Sequence, residues 1–114
     1  MIDELFEFDA MELTEQIKKG FVEASELLSA SIARAERLNP SIHAIVNFNT
    51  SQAKKLLDET ALDTPLYGVP TLLKDLGAEA INFHSHNGSR LYKDTLYSYD
   101  SAIFKRIRKT GLIP

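Results

Sequence analysis

The segment Thr71-Leu72-Leu73-Lys74-Asp75 sets an amine and a carboxylate side by side at the end of an apolar stretch. An ammonium group drawn out of water loses its proton more readily, so a lysine at the end of a buried strand can act as a base near neutral pH. The plainer reading is a surface lysine paired with Asp75, since most lysines are exposed. The surroundings favour the first reading: Gly68 and Pro70 punctuate the chain just before the apolar residues, and Tyr67 stands beside them with a hydroxyl that could face a pocket. Lys74 is therefore the candidate base, with Asp75 and Tyr67 as candidate supporting or substrate-side residues.

A second constellation is His84-Ser85-His86, which would hold two imidazoles on one side of an extended segment at a spacing that zinc sites use. Glu79, Asp94 and Asp75 could each be offered as a third ligand, but none has a helix-fixed spacing to the pair, so the expectation is two polar loop histidines and no metal. With no cysteine anywhere in the chain, disulfide frameworks, thiol catalysis and cysteine-ligated zinc are excluded, and nothing in the sequence calls for a cofactor. Lys105, Arg106, Arg108 and Lys109 crowd the end of a helical pattern, where cations complement the helix dipole. Tyr92, Tyr97 and Tyr99 read as half-buried packing with solvated hydroxyls.

Charge excludes further classes. Thirteen basic and sixteen acidic side chains give a net charge of −3 over 114 residues, without the concentrated basic excess of a nucleic-acid binder. The amino terminus Met1-Ile2-Asp3-Glu4 is acidic, unlike a secretory signal, and no apolar run approaches the roughly 20 residues needed to cross a bilayer. No nucleic acid, no membrane and a cytoplasmic location are the expectations. The length suits one domain with a modest core.

The elements that must position Lys74 follow from spacing. Asp9 with Glu12 makes a capping box for a short helix carrying Ala10, Leu13 and Ile17, which Gly20 ends. Ser25 can cap a second helix with Leu28, Ile32, Ala35 and Leu38 on one stripe, stopped at Asn39-Pro40. The β-branched run from Ile42 to Phe48 reads as a largely buried strand. Asn49 and Gln52 open a third helix through Ala53, Leu56, Leu57 and Ala61. Thr71-Leu72-Leu73 is a second short strand that delivers Lys74. From Gly77 to Asn87 no period of 2 or 3.6 survives, which predicts a loop. Asp100 or Ser98 caps a last helix with Ile103, Phe104 and Ile107 inward, and Gly111 stands where a terminal glycine belongs. The fold class is α/β, with helices packed on a mixed sheet.

Taken together, these segments resemble the amidase signature family. Gly68-Val69-Pro70-Thr71-Leu72-Leu73-Lys74-Asp75 is similar to its Gly-Val-Pro-x-x-x-Lys-Asp element. The likeness runs in order from Asp9-Ala10 through Arg37-Leu38-Asn39-Pro40, His43 to Phe48, Gly88-Ser89-Arg90-Leu91 and the helix Asp100 to Gly111. By this resemblance the chain is the N-terminal part of the amidase fold, a single partial domain over residues 1–114. Lys74 corresponds to the catalytic lysine of a Ser-cisSer-Lys triad, which takes a proton from a bridging serine as that serine takes one from the nucleophile. The substrate implied is a small-molecule amide.

Two departures qualify the likeness. The glycine- and serine-rich segment that supplies both family serines does not occur in these residues, and Ser85 and Ser89 sit in no glycine-rich elbow; the Gly-Ser pair matching Gly88-Ser89 is a structural turn in the family. The loop from Gly77 to Asn87 also carries Ile81, Phe83, His84 and His86 where the family has small residues. The chain is expected to be inactive alone. Leu112-Ile113-Pro114 reads as the opening of a strand that does not continue, as though the fold were truncated, so sheet edges and apolar faces should lie uncovered and a homo-oligomer is expected. The alternative is a stand-alone, non-catalytic module for binding or self-association.

Overall fold

A computed structural model describes residues 3–114. Four helices organise it: α1 (Ala10–Lys18), α2 (Ala24–Ile42), α3 (Thr50–Asp58) and α4 (Ala102–Thr110), with short 3₁₀ turns at Asp3–Glu7 and Arg90–Tyr92. They lie in a slab of 45 × 32 × 20 Å, with a radius of gyration of 14.4 Å. A closed domain of this length would have a radius near ~13 Å, so this one is slightly open.

Local signals placed three of the helices well. Asp9 accepts from the N–H groups of Met11 and Glu12 at 2.8 and 2.9 Å, and the Glu12 carboxylate accepts from Asp9 N–H at 2.8 Å, which closes the predicted capping box. After α1 the chain turns at Gly20, with Phe21 N–H donating to Gln16 O and Gly20 N–H to Ile17 O. Asn49 Oδ1 accepts from Gln52 N–H at 3.2 Å and starts α3, whose Ala53, Leu56 and Leu57 are buried. Gly111 ends α4 with φ at 92°.

Caps and ends elsewhere differ from expectation. Helix α2 begins at Ala24, one residue before the predicted cap Ser25, with Glu26 accepting from Glu23 N–H at 3.1 Å. It does not stop at Pro40 but runs on to Ile42. Proline costs one helical bond; in the exposed last turn that loss is tolerated, and the helix ends where His43 turns left-handed and donates its N–H to Asn39 O. The cap of α4 is Ser101, accepting from Phe104 N–H at 3.2 Å, because Asp100 is engaged with Ile81 N–H at 2.9 Å. On α4 only Phe104 is buried, while Ile103, expected inward, is exposed.

The mixed sheet is the largest correction. Among the described residues there is no strand, only isolated bridges between Pro70 and Ile113 (parallel), Ile81 and Tyr97 (parallel), and His84 and Leu96 (antiparallel). Of the run 42–48, Ile42 ends α2, His43 is left-handed, and the remainder forms no strand among the described residues. The Asn39 amide brackets Ile45 instead, accepting its N–H and donating to its carbonyl, both at 2.8 Å. A strand forms only when a neighbour takes its backbone groups, so Val46 and Phe48 stay exposed rather than buried. Thr71-Leu72-Leu73 forms no strand either, and only its first residue is paired.

What does close is a seam between the segment before Lys74 and the residues after α4. Leu66 N–H donates to Thr110 O, Gly68 N–H to Gly111 O, Ile113 N–H to Val69 O and Thr71 N–H to Ile113 O. Pro70 sits at the bridge position of this parallel pairing, where its missing N–H is not needed. The seam seats Ile113, which has no solvent exposure, among Ala24, Leu28, Ala53 and Leu57, with Tyr67 packed alongside. A second cluster joins Leu13, Val22, Leu27 and Val69, and a third joins Leu56, Ala80 and Phe104. Burying a side chain of this size stabilises by about 1.5–3 kcal/mol, and the three clusters together fix the segment that leads to Lys74.

Candidate active-site groove

Beyond the seam, the chain from Pro70 to Asp75 forms one wall of a groove of about 400 Å³. The rest of the lining comes from α2 between Leu28 and Ala35 and from residues 44–50, and the irregular loop contributes Phe83, His84 and Ser85. The interior is apolar, with Ile32, Val46, Leu72 and Phe83, and the polar groups of Lys74, Asp75, His84 and Ser85 share its lining. An apolar cleft with a few convergent polar groups is the usual form of a small-molecule site.

Lys74 lies where the sequence put it, after Thr71-Leu72-Leu73, but in a different environment. Its side chain is exposed, as are Leu72 and Leu76 on either side, so the burial that would desolvate the amine is not present among the described residues. The pairing with Asp75 that the plainer reading supposed is absent as well: no ion pair involves Lys74 among the described residues.

Asp75 turns to the loop. Its Oδ1 accepts the backbone N–H of His86 at 2.6 Å. Burial raises the carboxyl, but the backbone N–H groups of His86, Gly88 and Asn87 and the charge of His86 outweigh it, and the group is held below its ordinary value. Asn87 and Gly88 both have positive φ, which curls these N–H groups toward the carboxylate. Tyr67 is not part of the groove lining; it packs on the cluster around Ile113.

The structure separates the two loop serines. Ser85 is buried in the groove wall with Oγ 3.4 Å from Asn87 Oδ1, whereas Ser89 lies outside the groove lining and accepts from Leu91 N–H at 3.3 Å as the cap of a 3₁₀ turn. The rings of His84 and His86 are 6.1 Å apart, and no group of three or more metal-ligating side chains occurs among the described residues. No helix among them is long and apolar enough to cross a membrane.

Sequence reasoning missed one basic residue's role. Arg108, read as part of a solvated cationic face, donates to Leu56 O at 2.9 Å, Thr60 Oγ1 at 2.7 Å and Leu112 O at 2.6 Å. Burial lowers its pKa, with the Glu59 carboxylate opposing. The only sequence signal was its place on the Phe104 side of α4, four residues on.

Comparison with known proteins places this arrangement. The family model described as Amidase matches residues 26–114. The chain is 29% identical over 107 residues to a lipoamidase of Enterococcus faecalis, covering 91% of this chain and 14% of that protein. It is 28% identical over 107 residues to a 6-aminohexanoate-cyclic-dimer hydrolase of Paenarthrobacter ureafaciens, covering 92% of this chain and 21% of the relative. Among solved structures, 6-aminohexanoate cyclic dimer hydrolase complexed with substrate superposes with a TM-score of 0.86 at 27% identity, over 93% of this chain and 22% of that one. The chain thus spans less than a quarter of the length of these relatives. With the family match covering most of the residues and the backbone superposing on a solved relative, the chain belongs to the amidase family.

Proposed function

We propose that residues 1–114 are the lysine-bearing portion of an amide C–N hydrolase, with Lys74 as the proton acceptor of its serine relay and a small-molecule amide as substrate. The observation that carries this reading is the position of Lys74: it follows the Gly-Val-Pro turn of the matched region and lines the groove together with His84 and Ser85. Titration chemistry alone would not suffice. Family hydrolysis requires a nucleophilic serine, a bridging serine and oxyanion donors, none of which these residues supply, so they alone should show no turnover. The absence of cysteine suits a reducing compartment such as the cytoplasm.

A chimera tests the assignment. Residues 26–114 replace the matching portion of the 6-aminohexanoate cyclic dimer hydrolase, and hydrolysis of the cyclic dimer is followed. A folded chimera should turn over, Lys74→Ala should lower kcat by at least about a thousandfold, and Tyr67→Phe should change it little. A folded, inactive chimera, or one indifferent to Lys74→Ala, overturns the reading.

Self-association belongs to the same proposal. Val46, Phe48 and Leu72 border the groove and are exposed, beside backbone that no strand pairs among the described residues. Such an edge invites pairing with a second copy. Sedimentation across a hundredfold dilution should show a concentration-dependent oligomer; a monomer at every concentration overturns it.

A further inference from the structure

The loop from Gly77 to Ser89 has no regular structure, and polar contacts fix it in place. Ser101 N–H donates to Glu79 O at 2.8 Å, Asp100 accepts from Ile81 N–H, and the Asn49 amide donates to Asn82 O. These contacts secure its first half to α3 and α4. The second half, which brings His84 and Ser85 to the groove, has a single side-chain tether to the lysine segment: the bond between Asp75 Oδ1 and His86 N–H. His86 O in turn accepts from Ser89 N–H at 2.9 Å, so one carboxylate organises the whole turn 86–89.

We propose that Asp75 is a positioning residue that pins the loop turn at His86 and so holds His84 and Ser85 in the groove wall that Lys74 shares. Three geometric features support this. Asp75 follows Lys74 directly, so the tether acts on the backbone that carries the amine. The two residues before His86 are the groove residues; the bridge from His84 to Leu96 holds them from the far side, and the His86 amide is where the lysine segment holds them. The positive φ of Asn87 (51°) and Gly88 (69°) curls the turn so that the N–H groups of Asn87 and Gly88 face the same carboxylate, a curl that an uncharged or shorter side chain would not stabilise. The consequence for the family chemistry rests on the reading of Lys74 given above, but the tether does not, and its test involves no turnover, so each can fail separately.

The test is amide hydrogen exchange and nitrogen–proton correlation spectroscopy on residues 1–114, with Asp75→Asn and Asp75→Ala. In the unaltered protein the His86 amide proton should resonate downfield and exchange slowly, and its shift should follow a carboxyl titration whose midpoint lies below the ordinary carboxylate range. Asp75→Asn, which keeps an acceptor but removes the charge, should move that proton upfield and abolish the acid titration. Asp75→Ala should speed exchange at residues 84–88 by at least about tenfold while Ala53, Leu56 and Leu57 in α3 keep their protection. A His86 amide that neither shifts nor titrates with Asp75 overturns the proposal. So does an acceleration equal in the loop and in α3, which would make Asp75 a general stabiliser.

Discussion

The seam and the groove share one segment of chain and treat it in opposite ways. From Leu66 to Thr71 the backbone is zipped to Thr110–Ile113 and roofs a cluster from which water is excluded. From Leu72 to Lys74 the same segment has no backbone partner among the described residues, with Leu72 in solvent, before the chain turns at Asp75. The two differ in partners: the first stretch has Thr110–Ile113 beside it, and the second has no such neighbour among the described residues. Stability in this chain is therefore concentrated on one side of Lys74, and the capacity to bind on the other, as expected where a site is drawn from the less protected part of a fold.

The strongest way to break that contrast is Gly111→Ala. At φ 92° a side chain is strained, and a Cβ there would come within 2.8 Å of Thr64 Cβ and 3.0 Å of Tyr67 Cα, so the loss should be about 3 kcal/mol, read from urea unfolding. Arg108→Met comes next. It leaves the Leu112 carbonyl and Thr60 Oγ1 without the Arg108 donor and takes one of two donors from Leu56 O, which the Thr60 hydroxyl still bonds, and should cost about 2 kcal/mol in the same assay. On the groove side, Leu72→Ser should change stability by no more than about 0.5 kcal/mol, yet shift sedimentation toward monomer. A large loss of stability there would show that the groove wall is as tightly held as the seam.

The smallest effect is expected from acid. Asp75 has a folded-state pKa below its unfolded one, so the stability it contributes is fully present above the unfolded value of about 3.9 and is lost as pH falls through the lower folded value. The urea midpoints of wild type and Asp75→Asn should therefore differ near neutral pH and converge in strong acid. A gap that persists in strong acid would assign the effect to packing instead of charge.

Elements governed by neighbours within four residues were legible in the sequence. The Asp9–Glu12 box and the Gly111 terminator depend on backbone groups one turn away and formed as read; Asn49 caps α3 through Gln52 N–H alone, and that helix ends at Asp58, short of Ala61. The 42–48 run was not, because β-branched composition states a preference that only a partner strand can satisfy, and Asn39 holds Ile45 where a strand would. Lys74 follows Thr71-Leu72-Leu73 on the groove wall, but neither the strand nor the burial read for it is present among the described residues, since both depend on what covers Leu72 and Leu76. Asp75 was read through its sequence neighbour Lys74, but its contact is eleven residues away in a loop whose pattern carried no period.

Ile113 has a consequence for the order in which this chain is made. Its side chain completes the cluster of Ala24, Leu28, Ala53 and Leu57, and its backbone bonds fasten Val69 and Thr71. During synthesis the helices α1 to α3 emerge from the ribosome first, and their inward faces have no lid until residue 113 has followed. Because this contact joins residues distant in sequence, it closes late and carries a high loop-closure entropy. Until residue 113 has followed, the nascent polypeptide thus carries Leu28 and Leu57 uncovered, in the state that chaperones which shield apolar surface recognise.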